Sequence, residues 1–276
     1  MSVTYFRKFF LIELMLLLIL VLFLSPFYLV LANSFKTFAE ITQNAATLPT
    51  SFHWENFSIA WKSINLPIAF RNTIVITLLG SIGITLISAM GSYRIARHES
   101  RVNRFLFGMC IASMAVPFQA VMIPLIKVAK WFQLMNNILG IVVVYWGLGV
   151  SFAVILFHGF IKSIPIELEE SARIDGCGPY RVYWKIVFPL LKPMVVTVIL
   201  INSFSIWNDF LLPNIMLRKP GYGTIQLAVS TFFGEREKDW NTALAALVIT
   251  SAPLLLFFLF LQRYIIDGIT AGSVKG

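Results

Sequence analysis

The chain has 276 residues, 58% of them hydrophobic and only 13% charged, with a mean hydropathy of +0.81. A soluble domain carries roughly twice that share of charge, so the composition excludes one and implies a polytopic membrane protein. The net charge of +9 does not point to nucleic acid, because the basic residues flank apolar runs in short clusters, the arrangement that orients membrane spans.

In chain order, Arg7 and Lys8 precede an apolar run over about 9–31, long enough to cross a bilayer, longer than a signal-peptide core and followed by no small-residue cleavage site. It is read as a retained first span. The mixed loop from Asn33 to about Ala69 holds His53, Trp54, Trp61 and Pro67, whose aromatics fit an interfacial belt better than a binding surface. The second span covers about 70–93 and ends in the basic cluster Arg94, Arg97, Arg101 and Arg104. The third, about 105–128, carries Pro117 and Pro124 around Gln119, which predicts a kinked helix facing protein or a cavity. The fourth covers about 138–161, the fifth about 194–217 and the sixth about 242–265, with a polar loop from Arg218 to Asn241 before the sixth and a tail over 266–276. The expectation is an all-α integral membrane protein, a single domain over 1–276 with six spans.

Between the fourth and fifth spans lies a charged island over 162–193, the place best suited to hold another protein. Pro165 suits a first helical turn, and Glu167, Glu169 and Glu170 complement the positive end of the helix dipole. Glu169 and Arg173 stand four apart in acid-before-base order, and Gly176 is placed to take positive φ and stop the helix after about three turns. Gly178-Pro179 restarts the chain, and Tyr180, Tyr183, Trp184 and Val187 form one apolar stripe on a second helix closed by Pro189 and Pro193. Six spans put both termini, the 94–104 cluster and the island on one side, with thirteen of the 22 Lys and Arg; the positive-inside rule makes that side cytoplasmic.

Polar residues inside apolar spans need a reason. In the fifth span Asn202, Ser203 and Ser205 precede Trp207-Asn208-Asp209. They either hydrogen-bond neighbouring helices, with Trp207 and Asp209 at the headgroup boundary, or meet a ligand; an aromatic beside amides suits a sugar. For Gln119, Asn72 and Thr73, holding the fold is the stronger of the same two readings. The sequence contains no Gly-x-x-x-x-Gly-Lys-Ser/Thr loop, so the chain is not expected to bind ATP. His53, His98 and His158 are isolated, Cys110 and Cys177 lack metal-ligand spacing, and no nucleophile motif is present. No series of intramembrane acids or histidines suggests a proton relay, which counts against an ion-driven transporter.

Glu170-Ser-Ala-Arg-Ile-Asp-Gly176, followed after nine residues by Ile186-Val-Phe-Pro189, resembles the EAA loop of permease subunits in binding-protein-dependent ABC importers. Ser171 replaces the second Ala of that pattern and Phe188 its Leu, and neither change disturbs helix or turn. Trp207-Asn208-Asp209-Phe210 and the tail from Gln262 to Gly276 look like the carbohydrate branch, in particular the six-span subunit similar to the smaller permease of the maltose importer. The resemblance implies the type I importer permease fold in the bacterial or archaeal cytoplasmic (inner) membrane. It implies a second homologous permease, two ATPase subunits that supply ATP and Mg²⁺ chemistry, an extracytoplasmic solute-binding protein and a sugar substrate as partners. Glu170, Ser171, Ala172, Asp175, Gly176 and Pro189 are then the ATPase-coupling residues, and the tail inserts along the ATPase dimer interface. Gln119, Asn202, Ser205, Trp207 and Asn208 are the substrate-pathway candidates. No catalytic residue, cofactor, metal or nucleic-acid site is expected in the chain itself, and membrane lipid is its surroundings. A permease for a peptide or polyamine would keep the island without the Trp207-Asn208 and Ala271–Gly276 patterns.

Overall fold

The computed structural model describes residues 3–63, 65–234 and 239–273, and the side chains of residues 9–260 apart from 64 and 234–238. The described residues contain helices and no strand. Four helices are long and apolar enough to cross a membrane, and six spans result where two sharply bent helix pairs each count as one. The chain divides into two compact units, one of residues 1–66 with 228–253, the other of residues 67–227 with 254–276.

In the first unit, α1 (Val3–Ser34) is apolar on every side and buries no side chain across its span window. Such a surface is stable only against hydrocarbon or another apolar helix. The expected loop after it is largely folded. Thr37 and Glu40 form a capping box that starts α2 (Phe38–Gln43), and α3 (Glu55–Ser63) follows. Phe35 gathers Phe52, Trp54 and Phe57 around its ring at centroid distances of 4.9–5.4 Å, so three of these aromatics pack the loop as well as facing outward. Asn56 donates to the carbonyls of Ser34 and Lys36 and accepts from Asn241. Lys36 is buried and its ammonium donates to the Asn44 and Ala45 carbonyls and the Thr47 hydroxyl.

In the second unit, α4 (Leu66–Arg97) extends about a turn beyond the predicted span at each end, which puts Arg94 and Arg97 in its last turn, where cations suit the helix dipole. Small residues let it approach its neighbours. Ser88 and Ser92 donate to the Val150 and Val154 carbonyls, Ser81 meets Ser203, and at Gly83 the Trp146 indole lies where a Cβ would stand. The third span is broken, not kinked: α5 (Arg101–Met114) and α6 (Phe118–Trp131) meet at 112°. Pro117 disfavours a helical conformation for the residue before it and itself serves as the extended cap of α6. Pro124 sits inside α6 without ending it.

After α7 (Ile138–Ser163) come α8 (Glu167–Ile174), α9 (Pro179–Val182), a π turn (Tyr183–Val187), α10 (Phe188–Leu190) and α11 (Lys192–Asn208). The expected closure of the second island helix at Pro189 is not seen. Pro189 lies within α10, and the chain turns by 73° at Leu191. The fifth span stops at Asn208 because Asp209 is extended, and α12 (Leu211–Met216) is a separate short helix. The loop expected from Arg218 to Asn241 contains α13 (Ile225–Gly234), and its residues 235–238 lie outside the described ones. The last helix, α14 (Trp240–Ser273), continues past Ile265 through most of the expected tail. Gly268 and Gly272 each weaken a helix by about 1 kcal/mol without stopping it. Residues 274–276 lie outside the described ones.

Candidate functional site

Two features of the second unit hold the predicted site residues. The first is the island. Helix α8 starts two residues after Pro165 and is two turns long, shorter than predicted. It ends in a Schellman motif: Gly176 takes φ +81°, its N–H donates to the Arg173 carbonyl at 3.0 Å, and the Cys177 N–H donates to Ala172 at 2.9 Å. That geometry is what glycine at position 176 is needed for. Ala172 is buried against the core, whereas Glu170, Ser171, Asp175, Gly176 and Pro189 are exposed. Ile174, 86% exposed, and Tyr180, 76% exposed, stand beside them. An isolated apolar side chain needs no explanation; here two large ones are exposed on either side of the Gly176 turn.

The predicted stripe of Tyr180, Tyr183, Trp184 and Val187 is corrected accordingly. The buried face is Val182, Tyr183 and Val187, with Tyr180 outside it. The π turn inserts an extra residue per turn, and this rotates the α-helical register between Val182 and Phe188.

Glu169 is wholly buried although it sits on this exposed helix. One carboxylate oxygen accepts Arg97 Nε at 2.7 Å; the other accepts the Tyr93 hydroxyl at 2.7 Å, with Arg173 Nη2 3.6 Å away. The predicted Glu169–Arg173 pair is therefore present as the longer of two ion pairs, and its main partner stands 72 residues earlier. Nothing local distinguishes Arg97 from Arg94, Arg101 and Arg104, so sequence periodicity had no signal for that partner.

The second feature is a cavity of about 670 Å³ whose wall includes Ile84 of α4, Gln119 of α6, Tyr145 of α7, Asn202 and Ser205 of α11, and Asp209. The Tyr145 hydroxyl donates to Asp209 Oδ2 at 2.9 Å, while Asp209 Oδ1 accepts the Leu211 and Leu212 amides that begin α12. Asp209 is the only charged residue among those lining the cavity. The Asn202 amide nitrogen is tied back to the Val198 carbonyl, so its side-chain oxygen is left to face neighbours.

Of the predicted pathway residues, Gln119, Asn202 and Ser205 line this cavity and Trp207 and Asn208 do not. Trp207 is buried edge-on against Phe70, and Asn208 donates to the Phe204 carbonyl of its own helix and accepts a 3.5 Å contact from Gln226. Asn72 and Thr73 hold the fold: Asn72 donates to the Gly221 and Gly223 carbonyls, and the Thr73 hydroxyl accepts the Ile225 amide. Ser113, Tyr145, Ser151 and Asp209 are polar wall residues missing from the predicted set. A helical face starting at Asn202 runs through 205, 206 and 209, and that spacing was the available signal for Asp209.

Residues 81–270 match the model of the family described as "Binding-protein-dependent transport system inner membrane component". Among its relatives, the chain is 38% identical over 254 residues to AmyC of Thermoanaerobacterium thermosulfurigenes, a probable starch degradation products transport system permease protein, with 92% of each chain covered. It is 33% identical to MelC of Bacillus subtilis (strain 168), a melibiose/raffinose/stachyose import permease protein, over 91% of each chain. Its fold matches a chain in the crystal structure of a bacterial ABC transporter involved in alginate import, with a TM-score of 0.87, 21% identity, and coverage of 96% of this chain and 98% of that one. The helices that surround the cavity and the helix that caps at Gly176 thus have the architecture of an importer permease, and the chain belongs to the binding-protein-dependent transport system inner membrane component family.

Proposed function

We propose that the chain is one membrane-spanning subunit of an ATP-driven importer, lining with a second permease the path of a neutral sugar or oligosaccharide delivered by an extracytoplasmic solute-binding protein. The observation that carries this reading is the exposed helix α8 with its Gly176 cap, in the same compact unit as a cavity walled by amide, hydroxyl and carboxylate groups. Glu170, Ser171, Asp175 and Gly176 present that helix to one of two partner ATPase subunits, with Ala172 fixing it from behind and Pro189 in the helix that leads back to α11. ATP and Mg²⁺ act in those partners. Closure of the ATPase pair displaces α8, and the displacement reaches the cavity because α8 contacts the partner differently in the two states. Both termini and the island face the cytoplasm.

The names of AmyC and MelC, which speak of starch degradation products and of melibiose, raffinose and stachyose, support a sugar as substrate. The lining of the cavity supports a neutral sugar as the substrate class. Its single charge is the Asp209 carboxylate, which accepts hydrogen bonds from a hydroxyl rim and repels an anionic sugar. Gln119, Asn202, Ser205 and Tyr145 supply further polar contacts. The test is ATP-driven uptake by the complete complex in proteoliposomes, comparing labelled neutral oligosaccharides with an alginate oligosaccharide. Accumulation of a neutral sugar is expected; ATP-dependent uptake of neither class overturns the reading.

A further inference from the structure

The Arg97–Glu169 pair joins the coupling loop to α4, a helix that is not its neighbour in the chain. Three hydrogen bonds and a looser ion pair meet there: Arg97 Nε and the Tyr93 hydroxyl each reach one Glu169 oxygen at 2.7 Å, Arg97 Nη2 donates to the Ile164 carbonyl at 2.8 Å, and Arg173 approaches the second Glu169 oxygen at 3.6 Å. Glu169 is fully buried and the Arg97 side chain is 9% exposed. Tyr93 lies one turn before Arg97 on the same face, and its ring meets that of Tyr183, where the π turn begins, at 5.1 Å. The end of α4 therefore holds the segment before α8, α8 itself and the helix after it.

Burying such a pair is a poor way to gain stability, because desolvation offsets most of the attraction and an apolar contact of the same size does as well. What a doubly bonded carboxylate provides is direction. Apolar packing resists compression but parts easily when pulled, whereas an ion pair with both oxygens occupied follows its partner in either sense. From Arg97 back to Ile84 on the cavity wall is thirteen residues, about 20 Å of continuous helix. The covalent route from α8 runs the other way, through the π turn and α10 into α11, which brings Asn202 and Ser205 to the same cavity.

We infer that Arg97, Glu169 and Tyr93 form a second transmission link, by which movement of α8 is delivered to α4 at the same time as to α11, so that two walls of the cavity shift together. This rests on the coupling role proposed for α8. Arg97 and Glu169 are positioning residues: they touch neither substrate nor nucleotide.

The test uses the whole transporter, this chain with its partner permease, ATPase and binding protein, in proteoliposomes. Glu169→Gln and Arg97→Ala are each expected to retain the ATPase on co-purification and to hydrolyse ATP, while sugar taken up per ATP falls about tenfold. The charge-exchanged double variant Arg97→Glu with Glu169→Arg is expected to recover part of that ratio, which a lesion in packing alone does not do. If Glu169→Gln fails to accumulate in the membrane, Tyr93→Phe, which removes one hydrogen bond and no charge, takes its place with a smaller fall of about two- to fivefold in the same ratio. Unchanged uptake per ATP in the variant that assembles overturns the link while leaving the importer reading intact. A wild-type complex without ATP-driven uptake overturns the importer reading, and the link with it.

Discussion

Replacing Gly176 separates what the turn needs from what its partner needs. In this chain a Cβ at position 176 meets no atom within 4 Å, so the first carbon of an added side chain brings no clash. The only internal cost is the backbone: at φ +81° an alanine is strained by about 1–2 kcal/mol, and asparagine by less, because its short amide tolerates the left-handed region. The two Schellman hydrogen bonds, at 2.9 and 3.0 Å, are made by main-chain atoms and survive if the turn does. On that basis Gly176→Ala lowers the melting temperature of the purified chain by about 2–8 °C, and Gly176→Asn by less. A larger functional loss would come from the surface around Gly176 that is proposed to meet the ATPase. Gly176→Trp is thus expected to reach the membrane in near-normal amount yet lose co-purifying ATPase and uptake, as is Glu170→Lys, whose exposed side chain has no fold to disturb. Differential scanning fluorimetry of the solubilised chain and pull-down of the ATPase give the two readouts. A Gly176→Trp complex that retains its ATPase and transports at the wild-type rate refutes the reasoning, as does a Gly176→Asn chain that fails to accumulate at all.

Gly83→Leu is expected to deplete the protein from the membrane, because a Cβ there stands 2.1 Å from Trp146 Nε1 and the indole has to give up its 2.9 Å bond to the Leu79 carbonyl; a loss of several kcal/mol follows from overpacking, and immunoblotting of membranes checks it. Asp209→Asn retains the amide acceptor for α12 but removes the cavity's charge, so it is expected to assemble normally and to relax exclusion of anionic sugars; Asp209→Ala also loses the Tyr145 and Leu211 partners and costs about 2–3 kcal/mol in stability. Competition of an alginate oligosaccharide against neutral sugar uptake, with thermal melting alongside, distinguishes these. Glu40 titrates low, at about 2 against an ordinary 4.5, because the Thr50 hydroxyl and then the Thr37 amide donate to its carboxylate. A depressed folded value means its contribution is whole above 4.5 and fades as pH falls from there through about 2. Protection of the Thr37 amide, taken relative to the intrinsic exchange rate at each pH, is expected to be constant above pH 4.5 and to fall below it, with Thr50→Val raising the low-pH end of that fall and reducing its size.

The parts of this structure that were legible in the sequence are those with local causes. Gly176, three glutamates and an acid-before-base pair placed the short helix and its stop, whereas the apolar run of the fifth span continues to about 217 although its helix ends at Asn208. Pro117 announced an interruption in the third span, but a kink and a break use the same residue, and only the 112° turn between α5 and α6 tells them apart. The three short helices inside predicted loops, α2, α3 and α13, were missed because each is shorter than the window of about 11–18 residues over which an apolar period is read. The pathway candidates of the fifth span, Asn202, Ser205, Trp207 and Asn208, were chosen by residue type and not by face, although a helix turns through a full circle in under four residues; the cavity face skips Trp207 and Asn208 and arrives at Asp209. What no local pattern could reveal is the partnering of Glu169 with Arg97 and of Tyr145 with Asp209, since each pair is made by helices distant in sequence.

The junction at Leu191 bears on how the covalent route from α8 to α11 works. A 73° bend flanked by Pro189 and Pro193 has the look of a hinge, and a free hinge there would absorb movement of α8 before it reached the cavity. The hydrogen bonds argue otherwise. The Leu191 amide is shared between the Val187 and Phe188 carbonyls, each at 3.1 Å, and the Leu191 carbonyl accepts the Val195 amide at 2.8 Å, so bonding runs through the corner. The Leu191 side chain is fully buried in the same core as Val187 and Val198, pinning the corner from inside. The two prolines remove donors on either side without removing these, and their fixed φ stiffens the flanks. The corner is therefore a rigid elbow, and a rotation imposed on α8 emerges as a tilt of α11. Leu191→Ala, which opens a void at the inside of the elbow at a cost of about 2–5 kcal/mol, is expected to lower sugar uptake per ATP more than it lowers ATP hydrolysis itself. Equal loss of both in an assembled complex would place the compliance elsewhere.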